Sequence, residues 1–580
     1  MKKTLIVLVS IFLTLAAQAQ ELTVTVDSVG QLASQLPDST RYSIGQLKIS
    51  GPLGGNDLKL LQQIVKNIRT KKPTDVPLTV LDLSEATIVE SKGSFRTKPD
   101  ILPVAMFQGC KSLKRVLLPN TTTEVSRNCF YGCTELKEVD IPENTRLIGD
   151  YAFYGCTSLE GIKLPDELKA IENHAFDGCK GLTGMEIPKT VDLIDESAFA
   201  SCINLEKIEL HETALKAISK ASFIGCERLV SIALPTSVTT IASDAFKGCT
   251  ALESIQMPDA VAEIGNSAFE RCISLLTIEL TSVSTIGNDA FKGCESLDDI
   301  KTQQVKKIGS AAFKNCISLS TVSLEGSLPG IAAETFSGCT NLAQVTLPAT
   351  VRVIGKQAFY GCKSLAGISL PDGLTRIYDH AFENCISLKH IVIPNMVKQL
   401  GSDTFENCSS LDSVVVRGFV EKLESDIFRN CHSLRVVELP VSVKSIGDNA
   451  FQQCSSLSTI NLPISITSIG DNAFDKCASL TSVVIPAACT SIGSAAFREC
   501  SGLSRIELPA ALAKIGGNAF SKCVSMRELV LNAPLPPKIT HSTFKGVVSA
   551  ACKIIVPKGA SNSYREDKSW SKMPIIVEQN

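Results

Sequence analysis

A cysteine recurs at 110, 133, 156, 179, 202, 226, 249, 272, 294, 316, 339, 362, 385, 408, 431, 454, 477, 500 and 523, a step of 23 residues that rarely becomes 22 or 24. Three residues before each stands a phenylalanine, as in Phe107, Phe153, Phe313, Phe451 and Phe520, and Phe544 continues the row where Val547 replaces the cysteine. Three residues after each stands a leucine, as in Leu113, Leu159, Leu319, Leu457 and Leu503, with Met526 as the one substitute. The ladder sets Phe153-Cys156-Leu159, Phe313-Cys316-Leu319 and Phe451-Cys454-Leu457 thus occupy one register. A unit of this size cannot bury its own apolar face, so successive units must stack as coils of a one-dimensional array.

The unit Leu457 to Ser479 shows how one coil is built. Leu457, Ile460 and Leu462 with polar residues between them predict a short strand with alternate side chains inward. Pro463, which has no N–H to give to a ladder, ends that strand. Ile466 and Ile469 predict a second inward stretch, Gly470 a positive-φ corner, and Asp471-Asn472 the cap of a short helical turn carrying Ala473 and Phe474. The architecture expected is an α/β-type solenoid, a right-handed coil of stacked short parallel strands about 4.8 Å apart with short helical or 3-10 turns. The period changes only after the first strand: one residue is missing between Leu280 and Val283 and between Thr302 and Val305, and one is added between Leu210 and Leu215. Indels held to one loop mark a solvent edge.

Composition removes several function classes. Lys+Arg 57 against Asp+Glu 59 leaves a net charge of -2, too little field to gather nucleic acid. Aromatic content of 5%, with one Trp, is low for a binder that works by stacking on sugars or nucleobases. Lys2 and Lys3, the apolar run Leu5 to Leu15, and Ala17-Gln18-Ala19 predict an export leader over residues 1–19. No later stretch approaches the roughly 20 apolar residues of a membrane-spanning helix. The chain is therefore expected outside the cytoplasm: extracellular, on the cell surface or periplasmic.

The 22 cysteines raise metal and disulfide readings. Residues one period apart occupy the same place on neighbouring coils, so the cysteines form an axial row, and no four of them close a tetrahedron; no C-x-x-C occurs either. Neighbouring rungs fall within disulfide reach, but parallel Cβ directions hold the sulfurs in poor geometry. The ladder thiols are expected to be free and buried, with Cys129, Cys489 and Cys552 outside the ladder. Of the six histidines, at 174, 211, 380, 390, 432 and 541, His174 and His380 share a repeat position about nine coils apart, and no nucleophile motif accompanies any of them. Carboxylates such as Asp298 and Asp299, or Glu206 and Glu209, read as solvation of an exposed strand face. No active site, metal or cofactor is expected. Ligand-binding candidates are Tyr131, Tyr151 and Tyr154, and a second group, Tyr360 and Tyr378, set against the plainer reading of residues decorating a loop.

The period, the I-G-x-x-A-F-x-x-C run and the L-P pair, as in Ile446-Gly447-Asp448-Asn449-Ala450-Phe451 before Cys454, closely resemble the BspA-like leucine-rich-repeat surface proteins of bacteria. The resemblance implies a leucine-rich-repeat array of about twenty repeats over residues 101–545. Leu47 to Asp57 and Leu78 to Ser84, with a helix around Leu58 to Arg69, look like the family's N-terminal cap within residues 20–100. Cys552 to Gly559 and Tyr564 to Trp570 look like its C-terminal cap within 546–580. Caps at both ends are physically required, because end coils would otherwise expose apolar faces and strand edges. The family also implies a non-enzymatic binder of extracellular protein, such as a host matrix or cell-surface protein, used in adhesion. A glycan partner in a surface nutrient system and a structural envelope spacer are the alternatives.

Overall fold

The structure, a computed structural model, describes residues 21–66, 76–92, 95–210, 212–547, 552–573 and 576–579. The expected leader at 1–19, Arg69 and His211 lie outside them. The chain divides into two compact units, Met1–Leu215 with Gly225–Arg228, and Lys216–Ile224 with Leu229–Asn580. Each is a parallel-strand solenoid.

In the first unit, strands Gln46–Leu53, Val80–Asp82, Arg115–Leu117, Glu138–Asp140 and Gly161–Lys163 pair in sequence order, with Glu21–Thr25 on the outer side of Gln46–Leu53. A second row runs Ile101–Leu102, Glu124–Val125, Leu147–Ile148, Ala170–Ile171 and Leu193–Ile194. The helix Gly55–Lys66 packs Leu58, Leu61, Ile64 and Val65 inward. Its buried Asp57 carboxylate accepts the N–H groups of Gly30, Leu32 and Gly54 at 2.7–3.0 Å, tying down the preceding loop.

The second unit repeats the design. Its second-strand row includes Lys422–Leu423, Ser445–Ile446, Ser468–Ile469, Ser491–Ile492 and Lys514–Ile515 in register. Its first-strand row is interrupted: sheets form from Ser231–Ala233 to Ser254–Gln256, from Asp299–Thr302 to Gln344–Thr346, from His390–Ile393 to Val436–Glu438, and from Ser482–Val484 to Ile576–Glu578. Between the last two, Thr459 makes only an isolated bridge to Ser482, and Ile460 to Leu462 form no strand. At the end of this unit Trp570 lies 5.6 Å from Phe544 and donates its indole N–H to the Pro537 carbonyl at 2.8 Å.

The rows expected in the core are there. Phenylalanine rings stack coil on coil at 5.0–5.3 Å from Phe107 to Phe199 in the first unit. They stack at 5.1–5.7 Å from Phe223 to Phe544 in the second. All 22 cysteines are free and buried. Cys129 takes the place of the alanine before the Phe, and Cys489 takes the place of Ile466 one coil on.

The turn segment keeps 3-10-type bonds at alternate residues only. It is no helix, because its N–H groups alternate in direction. Ala450, Gln452 and Cys454 donate backward to Gly447, Asn449 and Phe451, in 3-10 fashion, whereas Asn449, Phe451 and Gln453 donate at 2.8 Å to Asp471, Ala473 and Asp475 of the next coil. An α-helix would keep all six within itself. The alternation is achieved by left-handed residues, Asn449 at φ 55° and Gln453 at φ 63°, with their counterparts in other coils. Asn472 is likewise left-handed, at φ 53°, and the Asp471 carboxylate beside it accepts the Ser494 N–H of the next coil at 2.6 Å. Gly470, expected at a positive-φ corner, has no such φ. In this coil a Cβ would sit 2.5 Å from the Asp448 carboxylate and 2.7 Å from the Asp448 nitrogen of the preceding coil, whereas other coils carry Ala242, Ala332 or Tyr378 at the same place.

The thiols join this network. Each ladder cysteine from Cys133 onward points at the carbonyl of the Phe in the preceding coil, as in Cys156 to Phe130 at 3.1 Å, Cys316 to Phe291 at 3.2 Å and Cys454 to Phe428 at 3.2 Å. That carbonyl also accepts the N–H of its own coil's cysteine, so both of its lone pairs are used. Burial pushes the ladder thiols well above their ordinary range, so the thiolate is suppressed.

Two outcomes follow from this packing. A maleimide should leave the ladder cysteines unmodified in the native chain and label nearly all of them after denaturation; rapid native labelling of most would overturn their inward placement. Gly470→Ala should destabilise the second unit by about 1–3 kcal/mol in chemical denaturation, because its Cβ meets backbone that cannot rotate away.

Candidate binding surfaces

With the Phe, Cys and Leu rows committed to the core, the residue after each Phe and the residue before each Ala remain free to vary on the turn face. In the first unit these are the tyrosines. Tyr131 and Tyr154 follow Phe130 and Phe153, and their rings stack at 4.8 Å and 11°. Tyr151 precedes Ala152 and stacks at 4.7 Å and 7° on His174, its counterpart one coil on. The two columns pack obliquely, Tyr151 lying 5.7 Å from Tyr154 and 6.5 Å from Tyr131. His174 joins the block through its register, which its isolated reading as a loop histidine missed. Its Nδ1 lies 2.9 Å from Asp177, and the same carboxylate, with burial, raises the Tyr154 phenol above its ordinary range.

Tyr360 and Tyr378 do not form a comparable group. Tyr360 follows Phe359, but Tyr378 takes the place of the glycine after Ile377, a different row, and lies beneath Arg376 with the guanidinium carbon 6.0 Å from its ring centre.

On the turn face of the second unit the same two rows carry charge. His380 hydrogen-bonds Glu383 at 2.6 Å and stands 3.9 Å from Asp403, and Arg429 bridges Glu406 at 3.6 Å and Asp426 at 3.2 Å. Burial, Asp403 and Glu383 push Glu406 up to about 7 against the pull of Arg429. Among the described residues no group of three or more His, Cys, Asp or Glu side chains is placed to hold a metal ion. His390 meets the Ser413 hydroxyl at 2.8 Å and His432 the Gln453 carbonyl at 3.0 Å, each across to the next coil.

The other surface is apolar. In the second unit, Val441 and Ile464 follow the strand-ending prolines of successive coils and are 79% and 84% exposed, and Val484 beside them is 72% exposed. Where the first-strand row is interrupted, a hollow of ≈ 630 Å³ opens, lined mainly by Ile460, Leu462, Ile464, Val484 and the strand-ending prolines, with Asn461, Glu507 and Asn532 on its polar side. Among the described residues no helix is long and apolar enough to cross a membrane.

A family model agrees with the repeat period. The family model for the BspA type leucine-rich-repeat region (6 copies) matches residues 100–230, 216–343, 329–444 and 421–550. No curated protein matches. Among solved structures, a leucine-rich repeat protein from Bacteroides ovatus is 22% identical over 84% of this chain and 90% of its own, with a TM-score of 0.32. A leucine-rich cell surface protein from Faecalibacterium prausnitzii is 25% identical over 60% and 87%, with a TM-score of 0.33. A leucine-rich repeat protein from T. pallidum is 31% identical over 32% and 78%, with a TM-score of 0.25.

The Glu406 cluster has a pH signature of determined sign. An unfolded glutamate titrates near about 4.3, whereas Glu406 keeps its proton to about 7. Between these values the folded chain holds a proton that the unfolded chain has lost, so its contribution to stability is present in acid and falls as pH rises through the window. Glu406→Gln should flatten that fall, read as the difference in unfolding midpoint between about pH 5 and about pH 8.

Proposed function

We propose, starting from the fact that this chain belongs to the BspA type leucine-rich-repeat family, that it is an exported, non-enzymatic binding protein whose solenoid surface docks another protein. Its use is adhesion, to a host matrix or cell-surface protein. Residues 1–19 serve as the leader, 20–100 and 546–580 as caps, and 101–545 as the repeat array.

The observation that carries this reading is the apolar strip of the second unit. Three large aliphatic side chains exposed by more than two thirds, next to an apolar hollow, form the kind of patch that marks an interaction site in a chain otherwise able to place polar residues at the same positions. The equivalent of Ile464 two coils later is alanine, Ala510, so the fold does not require a large side chain there. Anchors seated in such a hollow carry most of an interface's energy.

Residues 20–580 should bind at least one immobilised host matrix protein saturably. The double variant Ile464→Asp, Val484→Asp should weaken that binding by about tenfold or more while leaving the unfolding midpoint within a few degrees. Undiminished binding by this variant would reject the strip as the docking surface, and silence towards every protein tested would favour the envelope spacer.

A further inference from the structure

We propose that the tyrosine–histidine block of the first unit is a carbohydrate-binding site, in which the open face of Tyr131 and the glycine strip beside it receive a ring of a neutral oligosaccharide. The site is separate from the protein-docking strip and does not depend on it.

The aromatic residues are not demanded by the fold. The position after the Phe carries Gln108, Asp177, Lys247, Glu270 and Gln452 in other coils, and the position before the Ala carries Asp244, Asn449 and Asn472. Yet three of the chain's 7 tyrosines meet in two successive coils. A low aromatic content averaged over the whole chain argued against stacking on sugars, but the average conceals this concentration.

One side of the block carries no aromatic ring among the described residues and faces the exposed Gln108 of the preceding coil. Among the described residues Tyr131 stacks on one ring only, Tyr154, so its opposite face, towards the preceding coil, carries none. That coil presents Gln108 and Gly109 there, both exposed. Gly109, Gly132, Gly155 and Gly178 then form an unbroken row beside the tyrosines. A Cβ at Gly109 or Gly132 would meet nothing within 4 Å, and at Gly155 and Gly178 it would approach only the neighbouring glycine backbone, at 3.6–3.9 Å. Backbone conformation does not enforce the glycines. Asn384, Gln453, Lys476 and Glu499 hold the same place at φ 60–63° in the second unit. In these four coils the row is a bare floor running along the stacking direction.

Polar groups around the block are fixed in planar arrangements. His174 is held through Nδ1 by Asp177, which leaves Nε2 outside that contact, and Asn173 donates to Asp150 at 3.0 Å. An aromatic face for the C–H side of a pyranose, with rigid planar donors and acceptors for its hydroxyls, is the chemistry that recognises a sugar. The carboxylates Asp150, Glu172 and Asp177 beside the rings disfavour an acidic sugar or a nucleic acid. Apart from Val104 and Leu193, on the coils that flank the block, the coils around it expose no large aliphatic side chain that a protein partner would bury, among the described residues.

The test is titration calorimetry of residues 20–580 with neutral cello-, xylo-, manno-, malto- and chito-oligosaccharides. Wild type should bind at least one saturably. Tyr131→Ala and Gly132→Lys should each weaken it by tenfold or more, whereas Gly361→Lys, the same change beside Tyr360, should leave it unaltered. Gly132→Lys is the decisive variant, because Lys476 and Lys522 occupy its position at φ 62–63° in folded coils, so an intact unfolding midpoint is expected. The Ile464→Asp, Val484→Asp protein should bind the sugar like wild type, which separates the fate of this site from that of the docking strip. Absence of binding to every oligosaccharide overturns the proposal, as does equal binding by Gly132→Lys. A loss of protein binding, rather than sugar binding, in Tyr131→Ala would overturn it in favour of a protein anchor.

Discussion

Each coil of this protein is tied to the next through one turn segment, and the remainder of the structure is subordinate to that bond pattern. Alternate N–H groups around the Phe leave the coil to reach the next one, and the cysteine thiol points at the Phe carbonyl of the one before. Because both bonds cross between coils, neither can form unless the coils are in exact register with their Phe rings face to face. The ring spacing of 5.0–5.7 Å is slightly wider than the ~4.8 Å between β-strands.

The same constraint explains why the cysteine is retained in a chain that is expected to be exported, where thiols ordinarily oxidise. Its sulfur fills a small volume between the Phe and Leu rows and directs its hydrogen at a carbonyl that no water reaches. Serine would supply the donor but lose the apolar volume, and alanine would leave the carbonyl with one acceptor site unused. Burial, rather than the absence of partners, suppresses the thiolate of neighbouring cysteines.

A core fixed by rows leaves whole rows of surface without structural duty, and the two units use that freedom differently. The rows flanking the Ala and Phe carry aromatic rings in the first unit and an acid, base and arginine cluster in the second. The position after the strand-ending proline carries Val441 and Ile464, then Ala487 and Ala510. Chemistry in such a fold is written along the axis: a site arises when successive coils place related side chains in one row, because residues one period apart are about a strand spacing apart in space.

Register was legible from the chain itself. The fixed offsets of Phe153, Cys156 and Leu159, and of their counterparts, determine that the chain stacks as coils, which residues face inward, and that Tyr131 and Tyr154 must be neighbours. Periodicity identifies which positions are equivalent, and equivalence in a stack is contact. Tertiary structure alone decided the rest. It showed how closely Gly470 approaches the preceding coil, that the turn is held open by left-handed residues instead of closing into a helix, and that the two columns of the tyrosine block pack obliquely with His174 held by Asp177. It also showed where the first-strand row breaks and leaves Ile464 and Val484 beside a hollow. The reason is physical: a period fixes translation along the axis, but the direction of each N–H group and side chain around a coil depends on φ and ψ, which neighbouring coils settle together when they pack.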